Sequence, residues 1–361
     1  MKKKVETEAS HGFSRRNLFR AVLGGTMASA VSSGASGVEA APPTAEVGDQ
    51  GMYAVITGSG SAMADPERGN ASAAVVVDGT VLQFDFGRKT MDNLMRVGIN
   101  PINIDYIFFT HLHFDHIATY DYFIISSWIA GRRDPYKVFG PPGTVAMSNG
   151  ALHHMHEMDV RFVKYIVDTW PNIAEEAPVA EPPVEVTDAE PGLVVETDDF
   201  KVTSTATPHL SPPNMYSRGY RVDSKYGSVV ISGDTAPSEN MVELAKGADI
   251  LIHECVIPDY GMTTAGKFSR KEFHEKETKN QRTGHTSPTG LGKLAEQAGV
   301  KKLVAYHLAP YTSVPAAVEM SEKYTGPNPG PEIWSKYIHA MKNQYSGPVI
   351  LAEDAMVLKV S

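Results

Sequence analysis

From Tyr53 onward the chain alternates short apolar runs with turn-forming residues, the pattern of strands and helices in a mixed fold. Tyr53 to Thr57 reads as a strand running into Gly58-Ser59-Gly60, and Ala73 to Val77 and Val81 to Asp85 as two strands joined at Asp78-Gly79, a favoured hairpin dipeptide. Ile104 to Thr110 is an apolar strand, and Tyr136 to Phe139 another, entering a Gly-Pro-Pro-Gly loop. Further strands are expected at Leu193 to Glu196, Phe200 to Ala206, Gly219 to Val222, Ser228 to Ser232, Ile250 to His253, Leu303 to Tyr306, Val349 to Leu351 and Val357 to Val360. Helical spacing appears over Thr90 to Val97, Val145 to Trp170, Met241 to Ala248 and Ile333 to Asn343, and over Pro288 to Gly299 behind the capping residues Thr286-Ser287. Ala174 to Gly192, rich in Pro and Glu, reads as an exposed loop. This alternation predicts an α/β (α+β) fold of two sheets with helices outside, a four-layer αββα sandwich, and no composition break divides residues 41–361.

Residues 1–40 stand apart. Lys2-Lys3-Lys4 make a basic start, Ser14-Arg15-Arg16-Asn17-Leu18-Phe19-Arg20 resembles a twin-arginine export signal, and a mild apolar run from Ala21 to Val31 follows. That run is too short to span a bilayer, which needs about 20 apolar residues. Val38-Glu39-Ala40 offers a cleavage site, so the mature chain is expected to begin at Ala41 and to work in the periplasm or outside the cell, without stable membrane association. The twin-arginine route carries folded proteins, which fits a metalloprotein and a chain whose single cysteine, Cys255, cannot make an intrachain disulfide. The leader holds six of the 33 Lys+Arg and three of the 42 Asp+Glu, leaving 27 basic against 39 acidic residues, a net charge of −12. Such a surface repels phosphate backbones, so no nucleic-acid polymer is expected as partner.

The strongest chemical signal is Thr110-His111-Leu112-His113-Phe114-Asp115-His116. Four potential ligands within six residues, at the end of an apolar strand, converge only if the loop folds around something. Imidazole and carboxylate are the donors zinc accepts in an open catalytic site. This H-x-H-x-D-H run resembles the metal motif of the metallo-β-lactamase superfamily, and the resemblance extends over nearly the whole chain from Met52. It implies that His209, after the strand Val202 to Ala206, Asp234 in Ser-Gly-Asp-Thr, and His307, after Leu303 to Tyr306, complete the site. One zinc would be held by His111, His113 and His209, a second by Asp115, His116 and His307, with Asp234 and a hydroxide between them; manganese or iron suits the same donors. Asp115 would also orient the nucleophile. Asp85 reads as a structural hydrogen-bond acceptor beneath the site.

The segments Ser59 to Ala73, Phe84-Asp85-Phe86-Gly87, Phe139 to Gly143, Ile252-His253-Glu254 and Gly284-His285-Thr286-Ser287 resemble the ribonuclease Z-like branch. There, Glu254 and His285 would act together at the leaving group, the carboxylate supporting a cationic imidazole that donates a proton. The long tRNA-gripping arm of that branch has no room here, because only 24 residues separate His209 from Asp234. The resemblance therefore implies a small-molecule ester as substrate, a phosphodiester or sulfate ester. A lactone or other carboxylic ester is the alternative on the same site, and a zinc-dependent binding protein without turnover the alternative of another class. A homodimer is expected by analogy alone. His153, His154 and His156 make either a third metal site or part of a helix lining the pocket mouth, and the insertion Asp259 to Lys279 either a lid or a solvated surface segment.

Overall fold

β-Branched and aromatic runs pair into two sheets of seven strands in a computed structural model that describes residues 46–170, 181–209, 216–263, 269–272, 284–309 and 311–360. The first sheet contains β1 (Met52–Gly58), β2 (Ser72–Val77), β3 (Thr80–Phe84), β4 (Ile104–Phe108), β5 (Tyr136–Gly140), β6 (Val184–Asp188) and β14 (Met356–Lys359), in the order β14-β1-β2-β3-β4-β5-β6. The second contains β7 (Gly192–Glu196), β8 (Phe200–Ala206), β9 (Arg218–Ser224), β10 (Gly227–Ile231), β11 (Ile250–Glu254), β12 (Leu303–Tyr306) and β13 (Val349–Leu351), in the order β13-β12-β11-β10-β9-β8-β7.

Each sheet is antiparallel in one half and parallel in the other. β3 to β6 run parallel, as do β10 to β13, while β8 shares the direction of β10 because both are antiparallel to β9. The C-terminal ends of β4, β8, β10, β11 and β12 therefore emerge where parallel sheets present their loops, and all five lead into chemistry-bearing residues.

Alternation along the strands divides the buried side chains into three clusters. Phe84, Phe108, Tyr220, Ile252 and Tyr306 fill the space between the sheets, with Phe84 and Phe108 stacked at 4.9 Å. The outer face of the first sheet is covered by α1 (Thr90–Arg96) and α3 (Tyr120–Ile129), with Phe123 and Trp128 fully buried. α6 (Glu239–Ala245), α7 (Pro288–Ala298) and α9 (Ile333–Lys342) cover the second through Met241, Leu291 and Tyr337. The result is the expected αββα sandwich; α2 (Phe114–Ile117), α4 (Thr144–Asn149), α5 (Glu157–Thr169) and α8 (Pro315–Thr325) are further helices.

Two local expectations are corrected, and one helix, α3, goes beyond them. The helix expected over Val145 to Trp170 is two helices, α4 and α5, separated by a wider π-type turn at Gly150–Met155. The loop expected over Ala174 to Gly192 contains β6, which extends the sheet through its pairing with β5. α3 carries no polar face of helical width, since Tyr120, Phe123, Ile124, Ile125 and Trp128 are all buried, and so shows no amphipathic period. The leader lies outside the described residues, as do 264–268 and 273–279 of the insertion. Among the described residues no helix is long and apolar enough to cross a membrane.

Candidate metal centre

The H-x-H-x-D-H segment is shaped from below by Asp85, at the end of β3. Its backbone takes φ +58, a left-handed conformation that aims the carboxylate across to β4. Oδ1 accepts the Thr110 N–H at 2.8 Å, while Oδ2 accepts the Thr110 hydroxyl at 2.8 Å and lies 2.8 Å from His116 Nδ1. The proton of His116 is thereby held on Nδ1, leaving Nε2 as the donor atom facing the site. α2 turns the chain back immediately, so Asp115 and His116 face the same region as His111. Asp85 is thus the acceptor expected from the sequence. Asp85→Ala is expected to weaken metal binding about 10- to 100-fold; competition with a chelating dye measures this, and unchanged affinity would remove Asp85 from the role.

The expected ligands gather in two groups. His111, His113, His209 and Asp234 offer donor atoms mutually within 4.8 Å, and so do Asp115, His116 and His307. His111 Nε2 and His209 Nε2 lie 2.9 and 3.1 Å from His113 Nδ1. Asp234 stands between the groups: Oδ2 is 3.8 Å from both His111 Nε2 and His209 Nε2, while Oδ1 is 3.3 Å from His116 Nε2 and 3.2 Å from His307 Nε2. His307 Nε2 is also 3.3 Å from Asp115 Oδ2.

This arrangement fits two cations. Donors around one tetrahedral zinc stand about 3.3 Å apart, given bonds of about 2.0 Å. Among the described residues, His116 Nε2, His307 Nε2 and Asp234 Oδ1 are buried without a hydrogen-bond partner. Three converging orphaned donor atoms are unfavourable unless something else binds them. His307 is itself at φ +57, a rare conformation for a residue with a side chain. Its successor is fixed by a bond from the Leu308 N–H to the Ser59 carbonyl.

The buried charges of the centre shift the proton affinities of its groups. Burial opposes a charge on His116, but Asp234, Asp85 and Asp115 prevail and push its pKa well up. Burial likewise acts against ionised Asp234, yet the His307 and His116 imidazoles hold it well below the ordinary carboxylate range. His111 is pushed well down, by burial first and then by the charge of His116. Cation binding therefore has to displace the His116 proton, and zinc affinity is expected to rise with pH towards that raised pKa. Calorimetric titration in buffers of different ionisation enthalpy counts the protons released; zero at neutral pH would contradict this.

Beside the two groups stands a carboxylate–imidazole pair. Glu254, at the end of β11, is fully buried; Oε1 lies 3.0 Å from His285 Nδ1 and accepts the N–H groups of Thr235 and Thr286, while Oε2 accepts that of Val256. Burial opposes protonation of His285, but Glu254, then Asp234 and Asp115, outweigh it and raise the pKa to about 9. The ring lies 4.9 Å from that of His209, which donates from Nδ1 to the Gly284 carbonyl at 2.6 Å. His285 thus stands at the edge of the first group, with Glu254 behind it.

Other histidines do not join. His153 and His154 are exposed, and His156 is bonded to Asp121 and Asp159 at 3.0 and 2.9 Å; none belongs to a metal-binding group among the described residues. Sequence reasoning missed Thr110 as a link between Asp85 and the motif, and Arg218, which is buried beside it. Thr110 is signalled only by its place immediately before His111. Nothing local distinguishes Arg218.

Comparison with known proteins agrees with this geometry. Residues 66–287 match the model of the metallo-beta-lactamase superfamily. Ribonuclease Z of Mycobacterium marinum is 30% identical over 259 residues, covering 71% of this chain and 85% of that one. Ribonuclease Z of Methanothermobacter thermautotrophicus is 27% identical over 302 residues, covering 72% and 87%. Among solved structures, the metallo-beta-lactamase fold protein YhfI from Bacillus subtilis superposes with a TM-score of 0.59 at 16% identity, covering 85% of this chain and 98% of that one. With its HxHxDH centre and two-sheet sandwich, this chain belongs to the metallo-beta-lactamase superfamily, in the ribonuclease Z-like branch, and is a metal-dependent hydrolase.

Proposed function

We propose that this hydrolase holds two zinc ions and cleaves a small phosphodiester, with sulfate esters as the neighbouring substrate class. The observation carrying the reading is the contact between His285 and Glu254 beside the two ligand groups. His111, His113 and His209 would hold one ion with Asp234 Oδ2, and Asp115, His116 and His307 the other with Asp234 Oδ1. Two such cations supply Lewis acidity and make a water nucleophilic near neutral pH. The chain's residues supply the rest. Asp115, whose Oδ2 is 3.3 Å from His307 Nε2, orients the nucleophile. Glu254 keeps the His285 proton on Nδ1 and favours the cation, leaving Nε2–H to donate to the departing oxygen.

Phosphodiester chemistry is supported by relatives named ribonuclease Z. Against an RNA polymer as substrate stand the acidic net charge of −12 over residues 41–361 and the segment from His209 to Asp234, most of it the β9–β10 hairpin. The Arg15-Arg16 leader is read as a twin-arginine signal delivering the folded chain to the periplasm. Replacing both arginines by lysine should retain the chain in the cytoplasm on cell fractionation.

The zinc-loaded chain is expected to hydrolyse bis(p-nitrophenyl) phosphate, and Asp115→Ala or chelation to remove the activity. Faster cleavage of precursor tRNA than of this diester would sink the small-substrate reading. Turnover of sulfate esters or lactones alone would sink the phosphodiester assignment.

A further inference from the structure

His307 differs from the other buried histidines of the centre in what lies behind its ring. His116 Nδ1 faces Asp85 at 2.8 Å, His209 Nδ1 the Gly284 carbonyl at 2.6 Å, and His111 Nδ1 the Thr110 hydroxyl at 3.1 Å. Partners of this kind orient a ligating imidazole. His307 Nδ1 is buried and has none among the described residues. Its ring is therefore aimed by the backbone, at φ +57, a conformation that a residue with a side chain holds only where its surroundings impose it.

That conformation is pinned on both sides. Before it, the Tyr306 carbonyl accepts the Cys255 N–H at 3.0 Å; after it, the Leu308 N–H donates to the Ser59 carbonyl at 2.9 Å. Ser59, fully buried just beyond β1, is in turn gripped by Asp354, which lies 295 residues away in the turn before β14. Asp354 Oδ1 accepts the Ser59 N–H at 3.0 Å and its hydroxyl at 2.8 Å, and Oδ2 accepts the Gly69 N–H at 2.7 Å. Gly69 belongs to the same loop, and its carbonyl accepts the Gly60 N–H at 2.7 Å. Arg68 adds a second clasp. Nη1 donates to the Ser59 hydroxyl at 2.9 Å and to the Ala352 carbonyl at 2.7 Å, while the Ala352 N–H donates to the carbonyl of Ala305, two residues before His307. Beyond His307, Thr312 and Ser313 donate to Asp65 and Glu67 of this loop. Hydrogen bonds to an ionised carboxylate are stronger than neutral ones, so Asp354 is the firmest point of the web.

We propose that Asp354 is a positioning residue for the second ligand group: through Ser59 it holds the left-handed turn that aims His307 Nε2 at Asp115 and Asp234, 3.3 and 3.2 Å away. This rests on the reading of the two groups as sites for two cations. Loss of the grip frees His307 and weakens the cation of its group, while the cation of His111, His113 and His209 keeps its ligands.

The test uses the full chain and zinc, with affinities read by competition with a chelating dye. Asp354→Ala is expected to weaken one of the two binding steps about 10- to 100-fold and to leave the other unchanged. In a His307→Ala background the same substitution is expected to add nothing, because the residue it acts through is gone. Asp354→Asn, whose amide oxygen can still accept from Ser59, is expected to recover part of the loss. In the metal-free chain, residue-resolved hydrogen exchange is expected to be slow at the Leu308 N–H in wild type and faster in Asp354→Ala, with the Leu251 N–H inside β11 unaltered. Equal weakening of both zinc steps would make Asp354 a support of the whole fold and overturn the proposal, as would two unchanged steps. Should Asp354→Ala not fold, the comparison is made on Asp354→Asn, where one weakened step supports the proposal and none overturns it. Should wild type bind fewer than two ions, the two-cation reading fails, while exchange at Leu308 still decides whether Asp354 fixes the turn.

Discussion

Asp234→Asn is expected to lower kcat by about a thousandfold or more and to reduce bound metal below two ions per chain. The carboxylate lies between the two groups, with Oδ1 3.2 and 3.3 Å from the His307 and His116 Nε2 atoms and Oδ2 3.8 Å from those of His111 and His209. An amide keeps the shape but offers one neutral oxygen, and its NH₂ directs hydrogens at one group. Cations in such sites contribute several kcal/mol of transition-state stabilisation, each ~1.4 kcal/mol corresponding to a factor of ten. Elemental analysis of the purified variant reads the metal content and steady-state kinetics the rate. Two tightly held ions with near-normal turnover would show that the carboxylate does not join the groups. The fold itself should survive, because the buried neutral amide avoids the desolvation penalty of the carboxylate.

The second large effect concerns His285, and it depends on the leaving group. His285→Ala is expected to slow hydrolysis of a diester with an alkoxide leaving group about 10²- to 10⁴-fold, the usual contribution of a general acid. A p-nitrophenolate departs readily without a proton, so the same variant should lose much less with bis(p-nitrophenyl) phosphate. Equal losses on both substrates would assign His285 to binding or structure. Glu254→Gln is a less clean probe. The carboxylate accepts three backbone N–H groups besides contacting His285, and the amide nitrogen of glutamine would face at least one of those donors.

Most strands were legible because their apolar runs are short, β-branched and bounded by turn residues. β6 was not, since Val-Glu-Val-Thr-Asp is half exposed at the sheet edge and sits beside a Pro- and Glu-rich stretch that argues for a loop. The division of the 145–170 segment is not legible, because a π-type turn shifts the phase of the helix without changing its composition. At the centre, the four donors of the HxHxDH run announce themselves by density alone, whereas His209, Asp234 and His307 are single residues at strand ends. They stand out only through their order behind that motif. Arg218 carries no local mark, because an arginine at the start of a strand reads as an exposed residue, whereas the fold buries it.

The two ligand groups also bear on how the chain is held together. Each draws on both sheets: His111 and His113 follow β4 while His209 and Asp234 follow β8 and β10, and Asp115 and His116 meet His307 from beyond β12. His113 and His209 are 96 residues apart in sequence. A cation in either group is therefore a cross-link that closes a long loop, doing for this chain what a disulfide does elsewhere, and the lone Cys255 can supply no intrachain disulfide. Unlike a disulfide, this bond needs no oxidant and is undone by a chelator or by acid. Metal loading is therefore expected to strengthen the docking of one sheet on the other, beyond what the apolar core between them supplies.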